Sequence, residues 1–248
     1  MQFDQLYSGS SGNLYLVTAN SGKRLLIECG VTWSKLQKAL NYNVNGIVVC
    51  LLSHEHQDHS KAIKEVMRAG IDVFASAGTF EALGITEGTP YYRRAKIVKD
   101  KSIAQYGGYK ISAFATNHDC EEPLGFVVRA DNEFLLFATD TSHIRQRFKV
   151  AFDIVAIECS YDINILQARV NAGDINESVA KRLLTSHTEK QTAITYLSNH
   201  CDLSRCREIH LLHCSGDNLD KVQTKKDFEE RFFIETKVKD DSKQHQRI

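Results

Sequence analysis

Proline is nearly absent, with 2 in 248 residues. That excludes a Pro-rich spacer, and no low-complexity stretch interrupts the chain. A surplus of one charge is also missing: Lys plus Arg and Asp plus Glu both count 31. No overall basic field therefore advertises nucleic-acid binding, which would have to use a local patch. No apolar run approaches the roughly 20 residues that a membrane helix needs. The opening MQFDQLYSGS has neither the basic region nor the apolar region of a signal peptide. The cysteines (Cys29, Cys50, Cys120, Cys159, Cys201, Cys206 and Cys214) are odd in number and form no CxxC pair. Several sit in apolar runs, where a thiol behaves as a small hydrophobe. A reducing compartment fits this pattern better than a disulfide framework. The expectation is a cytoplasmic protein with no membrane association, and its 42% apolar content is enough for a substantial core.

What is present reads as alternating strands and helices. LYLVTA and RLLIEC are strands around the turn Asn20-Ser21-Gly22. Thr32 caps a helix over WSKLQKALNY. GIVVCLL is a buried strand by its β-branched content. Residues 60–69 carry helical spacing closed by Gly70, and IDVFAS follows as a strand. YKISAFAT, PLGFVVRA, EFLLFATD, DIVAIECS and EIHLLHCS are further strands. Residues 162–200 and 217–230 are helical. No repeat of fixed period is visible. Two strand-rich halves with helices outside predict an α/β fold, a four-layer αββα sandwich. Residues 1–236 form one domain, and residues 237–248 form a polar tail.

The chemistry concentrates at LLSHEHQDHSKAI, residues 51–63. His54, His56, Asp58 and His59 fall within six residues, directly behind an apolar strand. On a tight loop, His54 and His56 share one cation while Asp58 and His59 turn towards a second. Imidazole suits zinc and other transition metals, and carboxylate completes or bridges such sites. A solvated polar loop with chance histidines does not account for four ligand-type residues in HxHxDH order.

HxHxDH resembles the signature of the metallo-β-lactamase fold, and later segments follow that family in order. His118 in TNHD matches its third histidine for the first metal. Asp140 in LLFATDT matches its bridging aspartate, and His213 in HLLHCS its last histidine for the second metal. The opening LYSGSSGNLYLV, EPLGFVV and ECS resemble the YycJ/WalJ-type members, which are related to nucleases of the RNase Z and RNase J type. SHTEK stands where that subfamily has GHLSN and keeps the histidine, here His187. Tyr161 in ECSYD stands where a histidine is usual. The substrate is the property these departures affect.

The resemblance implies a metal-dependent phosphodiesterase that uses a hydroxide held between two divalent cations. Zinc is the default, with manganese as the alternative. Asp58 and His187 are its catalytic candidates, His187 as an acid towards the leaving oxygen. Ser10, Ser11 and Asn13 in SGSSGN are candidates for substrate binding through exposed backbone N–H groups. The substrate class is a nucleic acid or nucleotide. A single-strand DNA exonuclease is the first choice, and a hydrolase of cyclic or signalling nucleotides, as in phage proteins that disarm immunity, is the second. A lactam or thioester hydrolase ranks third. His143 and His210 are read as structural, His200 and His245 have no supporting context, and Tyr91, Tyr92, Arg93, Arg94 and Lys96 are read as a solvated face. Oligomeric state stays open.

Overall fold

A computed structural model describes residues 1–239. The first six strands form one sheet in chain order. They are β1 (Gln2–Tyr7), β2 (Leu14–Thr18), β3 (Arg24–Ile27), β4 (Ile47–Leu51), β5 (Asp72–Ala75) and β6 (Ala95–Ile97). The other seven form the second sheet, again with sequence neighbours side by side. They are β7 (Ile103–Tyr106), β8 (Tyr109–Ala115), β9 (Leu124–Ala130), β10 (Glu133–Ala138), β11 (Ile154–Glu158), β12 (Glu208–Leu212) and β13 (Glu235–Val238). Each sheet starts as an antiparallel meander and continues parallel, from β3 in the first and β10 in the second. The internal repetition that the sequence hides is therefore one of topology.

Strand alternation sorts the side chains into layers. Leu25 and Ile27 of β3 face inwards, as do Leu135 and Phe137 of β10. There they meet Phe3, Tyr15 and Phe126 between the sheets. Leu26 faces outwards beneath α1 (Trp33–Ala39) and α3 (Ile63–Arg68), while Phe80 from α4 (Ala77–Ala82) packs into the same cluster. Leu136, Val155 and Ile209 face outwards under α7 (Lys190–His200) and α8 (Lys221–Phe232), against Leu197 and Phe228. The order is α/β/β/α, as expected. Each fully buried Phe or Leu contributes about 1.5–3 kcal/mol through apolar burial. A helical hairpin, α5 (Ile163–Ala172) and α6 (Glu177–Ser186), sits apart on a small cluster of Tyr161, Leu166 and Ala180.

The helix starts follow side-chain capping. Thr32, Asp162, Asn176, Glu189 and Asp220 each accept a backbone N–H from the first turn of the following helix. Several boundaries differ from the sequence reading. Gln2–Tyr7 is a strand, and α1 stops at Ala39 because Asn41 and Tyr42 take positive φ. The helix expected over 60–69 is two pieces, α2 (Gln57–Ser60) and α3. The domain boundary expected at 236 falls inside β13, which pairs with β12 up to Val238. The rest of the expected tail, from residue 240, lies outside the described residues.

The basic aromatic stretch is used structurally. Arg94 pairs with Asp72 at 2.9 Å, Lys96 lies 3.5 Å from the same carboxylate, and Arg68 donates to the Tyr91 hydroxyl. All seven cysteines are free thiols. Among the described residues no helix is long and apolar enough to cross a membrane.

Candidate metal centre

Both sheets deliver polar side chains to one rim. Behind β4, the loop to α2 carries His54 and His56, and the first turn of α2 carries Asp58 and His59. His118 follows β8, Asp140 follows β10 and His213 follows β12. Glu28, Asp140 and His213 have φ of 63°, 43° and 50°, conformations that non-glycine residues adopt only when held. Glu28 and His213 lie one residue past a strand and Asp140 two, where the left-handed step turns the chain off the sheet.

The seven residues expected as ligands gather into two groups. His54, His56 and His118 form one. Asp58, His59, Asp140 and His213 form the other, and within each group the ligand atoms lie within 4.8 Å of one another. Asp140 Oδ2 joins the groups, at 3.4 Å from His59 Nε2, 3.6 Å from His118 Nε2 and 3.9 Å from His213 Nε2. Surrounding contacts aim the rings. His118 Nδ1 donates to the Ser186 carbonyl at 2.9 Å, which leaves Nε2 for the cluster. Ser53 Oγ engages His54 Nδ1 at 2.8 Å. Glu28 lies 3.5 Å from His59 Nδ1. These contacts fix which nitrogen of each ring faces inwards.

Backbone contacts hold α2 in place. Asn13 N–H donates to the Asp58 carbonyl and Cys29 N–H to the His59 carbonyl, both at 2.8 Å. A Cβ on Gly30 would lie 1.6 Å from the Asp58 carbonyl oxygen, so only glycine permits this approach. Asn13 itself requires a correction. It is fully buried, and its Oδ1 accepts from Gly9 N–H and the Tyr15 hydroxyl. Its Nδ2 points at the Asp58 carbonyl and His59. With its amide spent inside the protein, Asn13 fixes the SGSSGN turn and does not reach a substrate. Ser10 and Ser11 are exposed and line cavities beside the cluster.

The electrostatics fit a cation. Burial pushes the His54 and His118 imidazoles below their usual range. Burial opposes charge on His59 and His213 too, but Asp140 and neighbouring carboxylates outweigh it and hold His213 up to about 10. Burial likewise opposes ionisation of Asp58 and Asp140, yet the histidines around them hold both well below the usual carboxylate range. A divalent cation compensates the same carboxylates while leaving the imidazoles neutral, as ligation requires. Among the described residues, His54 Nε2 and His213 Nε2 are buried without a hydrogen bond. Such orphaned nitrogens inside a ligand cluster are what a bound ion satisfies.

His187, at the C-terminal end of α6, stacks on His213 with ring centroids 5.2 Å apart. Its Nδ1 lies 2.6 Å from Glu158 Oε1. Glu158, fully buried, also accepts N–H bonds from Thr141 at 2.7 Å and Thr188 at 3.2 Å. Glu28 and Glu158 escaped the sequence reading. Their signal was an acid closing an apolar strand, in RLLIE and DIVAIE. His143 is turned away, bonded to Ser142 and Arg145. His210 pairs with Glu208 and Gln5 and packs its ring on Phe3 between the sheets. Tyr161 is buried under the α5–α6 hairpin.

Four layers of this order, with ligand clusters contributed by both sheets, define a metal-dependent hydrolase of the beta-lactamase superfamily. The chain belongs to that family, whose beta-lactamase superfamily domain model matches residues 23–176. It is similar to exodeoxyribonuclease YycJ of Bacillus anthracis, at 25% identity over 227 residues, 88% of this chain and 84% of the relative. The metallo-beta-lactamase fold protein YhfI of Bacillus subtilis superposes with a TM-score of 0.71 at 16% identity, covering 96% of this chain and 95% of that one. Zn(2+)-bound PqqB of Methylobacterium extorquens gives the same TM-score at 12% identity, over 97% and 98% of the two chains.

Proposed function

We propose that this chain is a nuclease that hydrolyses phosphodiesters of single-stranded DNA with two divalent cations, zinc first and manganese as the alternative. The observation that carries the reading is Asp140 standing between two ligand groups, with His187 stacked beside them. His54, His56 and His118 would hold one cation, Asp58, His59 and His213 the other, and Asp140 both. When bound, such a pair supplies a water activated at neutral pH and neutralises charge on the scissile phosphate.

The protein residues supply the rest. Glu158 keeps the proton on Nδ1 of His187 and favours its charged form, so burial, which opposes that charge, is outweighed. Nε2 of His187 is then the nitrogen left to protonate the departing alkoxide. The same charge stabilises the phosphorane before the P–O bond breaks. The name of the Bacillus anthracis relative supports DNA as the substrate.

A small cavity, about 230 Å³, lies over His56, Asp58, His118, Asp140, His187 and His213. Its size keeps a second reading open, hydrolysis of cyclic or signalling nucleotides. A panel of labelled single- and double-stranded DNA, RNA and cyclic mononucleotides, each with zinc or manganese, separates the two. Cleavage of single-stranded DNA is expected, and His187→Ala should slow the chemical step more than it weakens binding. Turnover of cyclic nucleotides with no cleavage of DNA or RNA would refute the nuclease assignment.

A further inference from the structure

A second cavity, about 500 Å³, adjoins the one over the metal cluster and shares His187, His213, Ser10, Val179 and Leu183 with it. The α5–α6 hairpin forms one wall. The SGSSGN turn and the loop after β12 form the other. Its size is that of a small-ligand site.

Its chemistry is divided. Ile175 and Val179 give an apolar side, and Val179 is 49% exposed although it points into a groove. Arg169, Ser11 and Ser215 give a polar side. Arg169 donates to Asn218 Oδ1 at 2.6 Å, and no carboxylate among the described residues pairs with it. Asn218 is itself pinned, since its N–H donates to Ser215 Oγ at 3.1 Å and its carbonyl accepts from Asp162 N–H at 2.8 Å. The guanidinium is thus aimed by a neutral amide, with most of its five N–H groups unspent. Ser215 Oγ accepts from the N–H groups of Asp217 and Asn218, which leaves its own proton to donate. The one acid on this rim, Asp217, is exposed and makes no ion pair with Arg169.

We infer that this cavity seats the nucleotide adjoining the scissile phosphodiester, with Arg169 binding that nucleotide's phosphate and Ile175 and Val179 flanking its base. The inference rests on the nuclease reading and adds a specificity residue to it. An unpaired, pre-aimed guanidinium suits a phosphate, which takes two parallel N–H donors. An apolar wall beside it suits the face of an unstacked base. On this inference a single strand, whose bases are free to enter the groove, would be bound in preference to a duplex.

The test compares two substrates in the metal-loaded enzyme, a short single-stranded oligonucleotide and thymidine 5′-(p-nitrophenyl phosphate), which has one phosphodiester and no neighbouring phosphate. Arg169→Ala should raise KM for the oligonucleotide at least tenfold with little change in kcat, and leave the small ester unaffected. The dependence of log(1/KM) on log salt should become shallower by about 0.7, one phosphate contact on a single strand. Arg169→Lys should restore the slope, because the charge returns, and only part of the affinity, because the fork does not. Equal losses on both substrates would show that Arg169 supports the scaffold, and an unchanged oligonucleotide KM would show that the strand lies elsewhere. Both results overturn the inference while leaving the nuclease intact. A wild-type enzyme that cleaves the small ester but no oligonucleotide refutes the nuclease reading itself, and the inference with it.

Discussion

Replacing Glu158 by glutamine removes one charge and almost no volume, which makes it a sharp probe of the site. The carboxylate serves His187 Nδ1 at 2.6 Å, the N–H groups of Thr141 and Thr188, and lies 3.6 Å from His213 Nδ1. Glutamine keeps one acceptor oxygen. If that oxygen stays on the two backbone donors, the NH₂ group faces His187 and forces Nδ1 to accept. The His187 proton then moves to the wrong nitrogen, and the imidazolium loses its counter-charge. Hydrogen bonds to charged groups are worth about 1.5–3 kcal/mol. At about 1.4 kcal/mol per factor of ten, kcat should fall about 10- to 100-fold. KM should move little, because Glu158 is fully buried and touches no substrate. The assay is single-turnover cleavage of labelled single-stranded DNA, alongside metal content by atomic emission and thermal melting. A kcat within threefold of wild type at equal metal content refutes the argument. So does a loss of activity that follows lost metal in proportion.

Asp58→Ala should abolish turnover while the chain still folds, since the inter-sheet core lies elsewhere. Near-normal hydrolysis at full metal loading would contradict a two-metal site. Gly30→Ala should destabilise the protein by about 3 kcal/mol by forcing α2 off the β3 loop, and a melting temperature within a degree of wild type would sink that claim. Glu208, hydrogen-bonded to His210 and paired with Lys237, has its carboxyl pulled down to about 2. A depressed carboxyl adds stability that is complete above its unfolded value, near 4.3, and fades as pH falls towards 2. Chemical denaturation between pH 5 and 2 should show this loss in wild type and less of it in Glu208→Gln, and identical acid profiles would refute the pairing.

The parts of the site that sequence revealed are those where one short segment carries several ligands. His54, His56, Asp58 and His59 are close in space because they are close in the chain. His118, Asp140 and His213 were legible only through the family resemblance, each just behind an apolar run. Glu28 and Glu158 carry no spacing signature, because their partners lie 31 and 29 residues away at His59 and His187. Asn13 was misjudged because a glycine- and serine-rich turn looks exposed throughout, whereas here Ser10 and Ser11 are exposed and Asn13 is buried against α2. The strand Gln2–Tyr7 was missed because its alternation is mostly polar at a sheet edge, where one side faces solvent. Layer order was easier, since apolar alternation fixes which face of each strand is inside.

The clean division of the chain between the sheets sets an order of events during synthesis. Every strand of the first sheet ends by Ile97, and every strand of the second begins at or after Ile103. A nascent polypeptide emerging N-terminus first thus displays His54, His56, Asp58 and His59 well before His118 exists. The rim closes only when His213 leaves the ribosome, 159 residues after His54. Until β7–β11 have followed, the inner faces of Leu25, Ile27 and Phe3 have no opposing sheet. The unfinished half is therefore the form most exposed to aggregation and premature ion capture, and completion of the second sheet ends both hazards.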